Sequence, residues 1–214
     1  MARKTSARRV SKSEQQRSVT AAGQPSLPAM ERAVASFLTA AGLDPSAHRE
    51  LSETPALVAA AWAEEFLDGY RRDPRRILEE RIDVGEPRLD EMVTLTGLEF
   101  QSVCPHHLLP YGGVAQLAYL PGRYVAGFGQ IVGVLDCLSH RLVLQEDLAK
   151  QVARALQEGL EARGVAVRLE AQQSCMALRG GRQAHARVVT EAFAGTEAQQ
   201  REIRARFAGA VGSR

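Results

Sequence analysis

The stretch CPHHLLPYGG, residues 104–113, sets a thiol two residues ahead of a pair of imidazoles. Thiolate and imidazole are the donors that zinc takes, and a catalytic zinc site commonly uses three protein ligands and keeps its fourth position for water. Cys104 and His107 are three residues apart, so a single helical turn would carry both side chains on one side. The third donor must come from elsewhere. Cys175 comes directly after a strand-like segment, as Cys104 does, so the two strand ends could sit side by side. The spacing alone equally suits buried free thiols, which are common in cores. His106 projects away from its neighbour His107 and is free to act as an acid or base, its ordinary pKa lying near working pH. A hydrogen-bonded, half-buried ring is the other reading of such a histidine. Cys137, in the apolar context VLDCLSH, reads as core packing.

The elements that must position these residues can be read from periodicity. A helix is expected to open at Pro28 with Met30, Val34, Phe37, Leu38 and Ala41 on one face and to end at Gly42. A second starts with Thr54 as N-cap and Pro55 in its first turn, and its apolar stripe is Val58, Ala61, Trp62, Phe66 and Tyr70. Residues 71–90 read as a charged loop with a helical turn. MVTLTGLEFQSV and VAQLAYL are strand-like, on either side of the Cys-His cluster. A Gly-rich stretch turning helical comes next. LQEDLAKQVARALQEGLEARG carries leucine or valine at 144, 148, 152, 156 and 160, the strongest helical stripe in the chain, with Gly164 expected to end it. VAVRLEA and ARVVTEAF are two further strands, and Thr196 is placed to cap a short helix holding Ile203 and Phe207. This order implies an α+β domain with mostly antiparallel pairing.

Composition sets the outer bounds. The chain has 214 residues, 45% of them hydrophobic and 24% charged, which suits one globular domain. No apolar run is long enough for a membrane span, and no apolar segment comes after the charged N-terminus as in a secretory signal. Three cysteines fit a reducing cytoplasm better than a disulfide scaffold. The first 18 residues carry six cations, Arg3, Lys4, Arg8, Arg9, Lys12 and Arg17, against Glu14 alone. Such an arm suits a solvated tail, a transit peptide or a contact to nucleic acid; the body of the chain gives no electrostatic reason to expect nucleic-acid binding.

The residues in this order resemble the GTP cyclohydrolase I family. The resemblance runs from about residue 30 to the C-terminus through LSETPALVAAAWAEEFLDGY, FQSVCPHHLLPYGG, AYLPGRYVAGFGQI, LQEDL and SCMALRGGR. It implies the tunnelling fold, a four-stranded antiparallel sheet with two long helices that closes into rings, typically decamers of two stacked pentamers with active sites between subunits. Together with the charge and periodicity above, it divides the chain into a basic arm over 1–25, expected to be disordered, an N-terminal helical segment over 26–90 and a catalytic domain over 91–214. It further implies zinc (Zn2+) on Cys104, His107 and Cys175, proton transfer by His106, guanine recognition by Glu146 and phosphate contact by Arg179. The implied reaction opens the imidazole ring of GTP, releases formate and ends at dihydroneopterin triphosphate.

The departures from the family pattern fall in the same site. Gln173 stands where the family has a second histidine; an amide binds through hydrogen bonds but does not exchange protons near pH 7. Gly129, Gln130 and Gly133 replace a Ser-Lys pair and an arginine, Leu57 another arginine and Gly113 a lysine, while Pro105 replaces a glutamate. The zinc residues are kept and the triphosphate cations are not. The expectation is therefore a zinc-dependent hydrolase of a guanine-type purine, with fewer phosphates on its substrate or with a ring-opened formamide as product. Arg123, Arg182 and Arg187 are the cations that could compensate if GTP is used. The alternative is a non-catalytic, zinc-stabilised ring protein that binds a nucleotide or a partner.

Overall fold

The computed structural model describes residues 23–85 and 90–211, so most of the basic arm lies outside the described residues. Helix α1 (Leu27–Ala40) begins where Pro28 allows and turns out at Gly42, whose φ is 81°. Helix α2 (Thr54–Ala61) continues through a π-helical turn at Trp62–Phe66 and a 3₁₀ turn at Asp68–Arg71. The expected N-cap differs. Thr54 is already inside the helix, because its hydroxyl donates back to Glu50 O at 3.4 Å instead of accepting from the helix.

Residues 71–90, expected as a charged loop with a helical turn, hold that turn and a short strand besides. Asp73 caps the short helix α3 (Pro74–Ile77) through the Arg75 N–H at 3.0 Å. Strand β1 (Ile82–Asp83) comes next and pairs with β4 (Tyr124–Val125), a two-residue ladder too short to leave a periodic trace in sequence. Ion pairs fasten this region to residues 136–140. Arg72 bridges Asp68 at 3.0 Å and Asp136 at 2.7 Å, and His140 Nδ1 meets Asp68 at 2.7 Å.

The main sheet has four antiparallel strands in the order β2-β3-β5-β6, namely β2 (Val93–Cys104), β3 (Leu109–Leu120), β5 (Gly164–Gln173) and β6 (Val188–Ala194). Alternation decides its faces. Ala115, Leu117, Tyr119, Val165, Val167 and Leu169 turn to one side, where α4 (Phe128–Ser139) and α5 (Gln145–Leu160) cover them with Ile131, Val134, Leu148, Val152 and Leu156. Each such side chain contributes roughly 1.5–3 kcal/mol on burial. Cys137 is fully buried in α4, as its apolar context implies. Among the described residues the other face is covered at one end only, where Ile203 and Phe207 of α7 (Glu197–Val211) close over Ala118, Leu120 and Ala166. Thr196 starts α7 as expected: its N–H donates to Gln199 Oε1 at 2.8 Å and its hydroxyl accepts from Gln199 N at 3.4 Å. At 15 residues α7 is longer than the short helix expected.

Gly164 does not end α5. Glu161 does so, in the left-handed region at φ 49°, and Gly164 opens β5. The need there is closeness, since a Cβ on Gly164 would stand 3.3 Å from Gln199 O and 3.4 Å from Ile203 of α7. The chain belongs to the α+β class, with the antiparallel sheet and flanking helices of the tunnelling fold.

Candidate active site

The sheet end opposite α7 gathers the candidate residues. Strand β2 finishes at Cys104, and residues 105–108 turn the chain into β3. Leu108 N donates to Cys104 O at 3.0 Å, which closes one helical turn, and Leu108 adopts φ 53° to leave it. This is the local geometry that the spacing of Cys104 and His107 implied. Cys104 is buried, while His106 and His107 are exposed with ring centroids 6.4 Å apart and planes at 81°. Across the sheet, Tyr111 of β3 pairs with Gln173, the last residue of β5, and the short helix α6 (Ser174–Ala177) then carries Cys175. The two cysteines thus lie at the same end of the sheet, with β3 between their strands.

The segment after α4 brings Glu146 to this end. Val143 N donates to Val103 O at 3.1 Å, beside Cys104, and Tyr111 donates its hydroxyl to Val143 O at 3.0 Å. The chain then crosses the sheet end and enters α5, whose first turn holds Glu146 and Asp147, at a helix end that favours negative charge. Burial pushes the Tyr111 phenol well above its ordinary 10.0, and the negative charges of Cys104, Glu146 and Asp147 push the same way.

Behind Glu146 lies a residue to which sequence reasoning gave no role. Gln145 is 3% exposed. Its amide nitrogen donates to Leu169 O at 3.1 Å, Val188 O at 2.9 Å and Thr190 Oγ1 at 3.3 Å. Its oxygen accepts from Gln173 Nε2 at 2.6 Å. A signal for it exists in the sequence: position 145 stands four before Ala149 and seven before Val152, so a glutamine there falls on the buried stripe of α5.

The donor set of Cys104, His107 and Cys175 suits zinc in kind, two thiols and an imidazole at one sheet end. Among the described residues, however, no three Cys, His, Asp or Glu side chains are gathered closely enough to hold a metal ion. Arg179 is exposed between α6 and β6, as are Arg182 and Arg187. Arg123 is committed elsewhere, to Asp83 at 2.9 Å beyond the opposite end of β3. Gln130 serves the fold: its oxygen accepts from Gly127 N at 2.9 Å and its amide donates to Ile77 O at 3.1 Å. A groove of about 450 Å³ opens next to the site along the uncovered sheet face, lined by Gln101, Pro110, Tyr111, Gly112 and Ser174 among others.

Comparison with known proteins places the chain in a family. The family model described as GTP cyclohydrolase I matches residues 30–212. The chain belongs to the GTP cyclohydrolase I family. The chain is 40% identical over 188 residues to the GTP cyclohydrolase 1 of Chromobacterium violaceum, covering 86% of this chain and 87% of that one. It is 45% identical over 170 residues to that of Leifsonia xyli subsp. xyli, 79% of this chain and 87% of the relative. It is 38% identical over 182 residues to that of Ralstonia nicotianae, 85% of each. Membership makes the protein an enzyme of the cyclohydrolase type. Among the described residues no helix is long and apolar enough to cross a membrane.

Proposed function

We propose that the protein is a zinc-dependent hydrolase that opens the imidazole ring of a guanine-type purine, and that it converts GTP to dihydroneopterin triphosphate slowly or not at all. The observation that carries the reading is that Cys104 and Gln173 end their strands on either side of β3 at one end of the sheet, where Gln173 is hydrogen-bonded to Gln145, the neighbour of Glu146 in the first turn of α5. Cys104, His107 and Cys175 would hold the zinc, which when bound supplies a Lewis acid for water attack on purine C8.

The chain's own groups do the rest. Glu146 accepts hydrogen bonds from guanine N–H groups, a pattern adenine does not offer. His106, exposed beside the zinc turn, gives and takes protons as the ring opens to the formamide. Gln173 binds but does not transfer a proton, and loss of one acid–base group typically costs about 10²–10⁴-fold. Arg179 meets a phosphate. Each absent charge-assisted contact removes roughly 1.5–3 kcal/mol of triphosphate binding, though not additively. These deficits favour a substrate with fewer phosphates than GTP, or arrest at the formamide. The proposal includes the basic arm over 1–25, the helical segment over 26–90, the catalytic domain over 91–214 and a cytoplasmic setting. It includes assembly as well: β2 and β6 leave two sheet edges, which suit pairing with further copies in a homo-oligomer, a decamer as in the family.

Zinc-loaded protein incubated with GTP, GMP, guanosine and guanine, followed by formate release and purine absorbance, tests the reading. Formate from at least one of the four is expected. Formate from none of them, with zinc bound, overturns it in favour of a non-catalytic nucleotide-binding ring.

A further inference from the structure

The two glutamines at the site form a chain whose polarity is set by the backbone. Gln145 is enclosed, and its amide end faces the carbonyl oxygens of Leu169 and Val188. A carbonyl accepts and never donates, so the NH₂ of Gln145 must point at these two oxygens; the reverse orientation would set oxygen against oxygen. Its own oxygen is thereby turned to Gln173 at 2.6 Å. The same logic then fixes the second amide. Only the NH₂ of Gln173 can meet an acceptor, so its Oε1 is left on the far side of the amide. Among the described residues that oxygen has no hydrogen-bond partner. Gln173 is half-buried, at the end of β5 and two residues before Cys175.

We infer that Gln173 is a specificity-determining residue that offers a carbonyl oxygen to an N–H or O–H donor of the guanine-type substrate, and that Gln145 is the positioning residue that turns that oxygen outward. The inference rests on the guanine-hydrolase reading above and adds to it the hydrogen-bonding character of position 173. A histidine at 173 would donate one ring N–H to Gln145 and present its bare second nitrogen as an acceptor. Glutamine thus keeps the acceptor of such a histidine and loses its proton transfer. A glutamate would have to carry a proton to satisfy the Gln145 oxygen, and a leucine would offer nothing.

Equilibrium binding to the zinc-loaded full chain of whichever of GTP, GMP, guanosine and guanine binds most tightly, by calorimetry, reads this out without depending on turnover. Gln173→Leu is expected to weaken binding about 3–10-fold, the worth of one neutral hydrogen bond. Gln173→His is expected to stay within about twofold of the unchanged protein. Gln145→Met, which removes the lock behind a ligand-facing group, should weaken binding by a similar factor to Gln173→Leu. The double variant should then be no weaker than either single one, because both act through one oxygen. Unchanged affinity in Gln173→Leu, or additive losses in the double variant, would overturn the inference while the guanine reading stands. No measurable binding of GTP, GMP, guanosine or guanine by the unchanged protein would remove the guanine reading and this inference with it. Should Gln145→Met not fold, the contrast of Gln173→Leu with Gln173→His decides alone: equal losses sink the proposal, and loss in leucine only supports it.

Discussion

The two ends of the sheet are built on opposite terms. At the α7 end, Ala118, Leu120 and Ala166 are covered by Ile203 and Phe207, all of them nearly inaccessible, and packing there is complete within one chain. At the other end Cys104 and Gln145 are buried, but His106, His107, Glu146 and Arg179 are exposed and engage no closed cluster. The first end holds the strands together. The second leaves its side chains open, and on the proposed reading substrate, metal and a further subunit complete them. Stability and chemistry are therefore separable by mutation.

The sharpest break comes at the open end. Cys175→Ser should reduce bound zinc from about one per chain to a small fraction, measured by elemental analysis, and should abolish formate release. Full zinc retention in that variant would remove Cys175 from the ligand set. The next largest effect is a gain. Gln173→His should raise conversion of GTP to the pterin by up to about 10²–10⁴-fold with little change in melting temperature, as expected for one restored acid–base group. Turnover typical of the family in the unchanged protein would show instead that Gln173 is no handicap.

At the packed end the order reverses. Phe207→Ala should cost about 3–5 kcal/mol in denaturant titration, because the ring is 2% exposed and its cavity cannot fill. Zinc content per folded chain should stay the same. The smallest expected effect is alkaline. Burial raises the Cys137 thiol above its ordinary 9.0 and the Tyr111 phenol above its ordinary 10.0. Above those values the unfolded chain releases protons that the folded chain retains. Stability should then be level below about pH 9 and fall above it, by at most about 1.4 kcal/mol per pH unit for each such proton. Cys137→Ala should delay the onset of that fall toward pH 10. An unchanged onset would mean that Cys137 does not report on core burial.

The candidate site residues could be named from the sequence because their signals are local. CPHH, LQEDL and SCMALRGGR are short and need no tertiary information. The closed turn from Cys104 to Leu108 arises from the same few residues. The cations named as substitutes were harder to judge, since Arg123 shows its commitment only when Asp83 is found 2.9 Å away. Gln130 likewise reads as a lost lysine in sequence and as a cap for α4 in space.

By itself the sequence determined the helices and strands whose period repeats over several turns, the identity of the chemical groups and the family to which they point. Leu148, Val152, Leu156 and Leu160 face the sheet because a 3.6-residue period leaves them no other side. Only the tertiary structure decided the pairing of β1 with β4, the true end of α5 and the direction in which two amides point. The reason is range. The carbonyl oxygens that orient Gln145 belong to Leu169 and Val188, 24 and 43 residues further on in β5 and β6, and an amide's two ends look alike until such acceptors are in place.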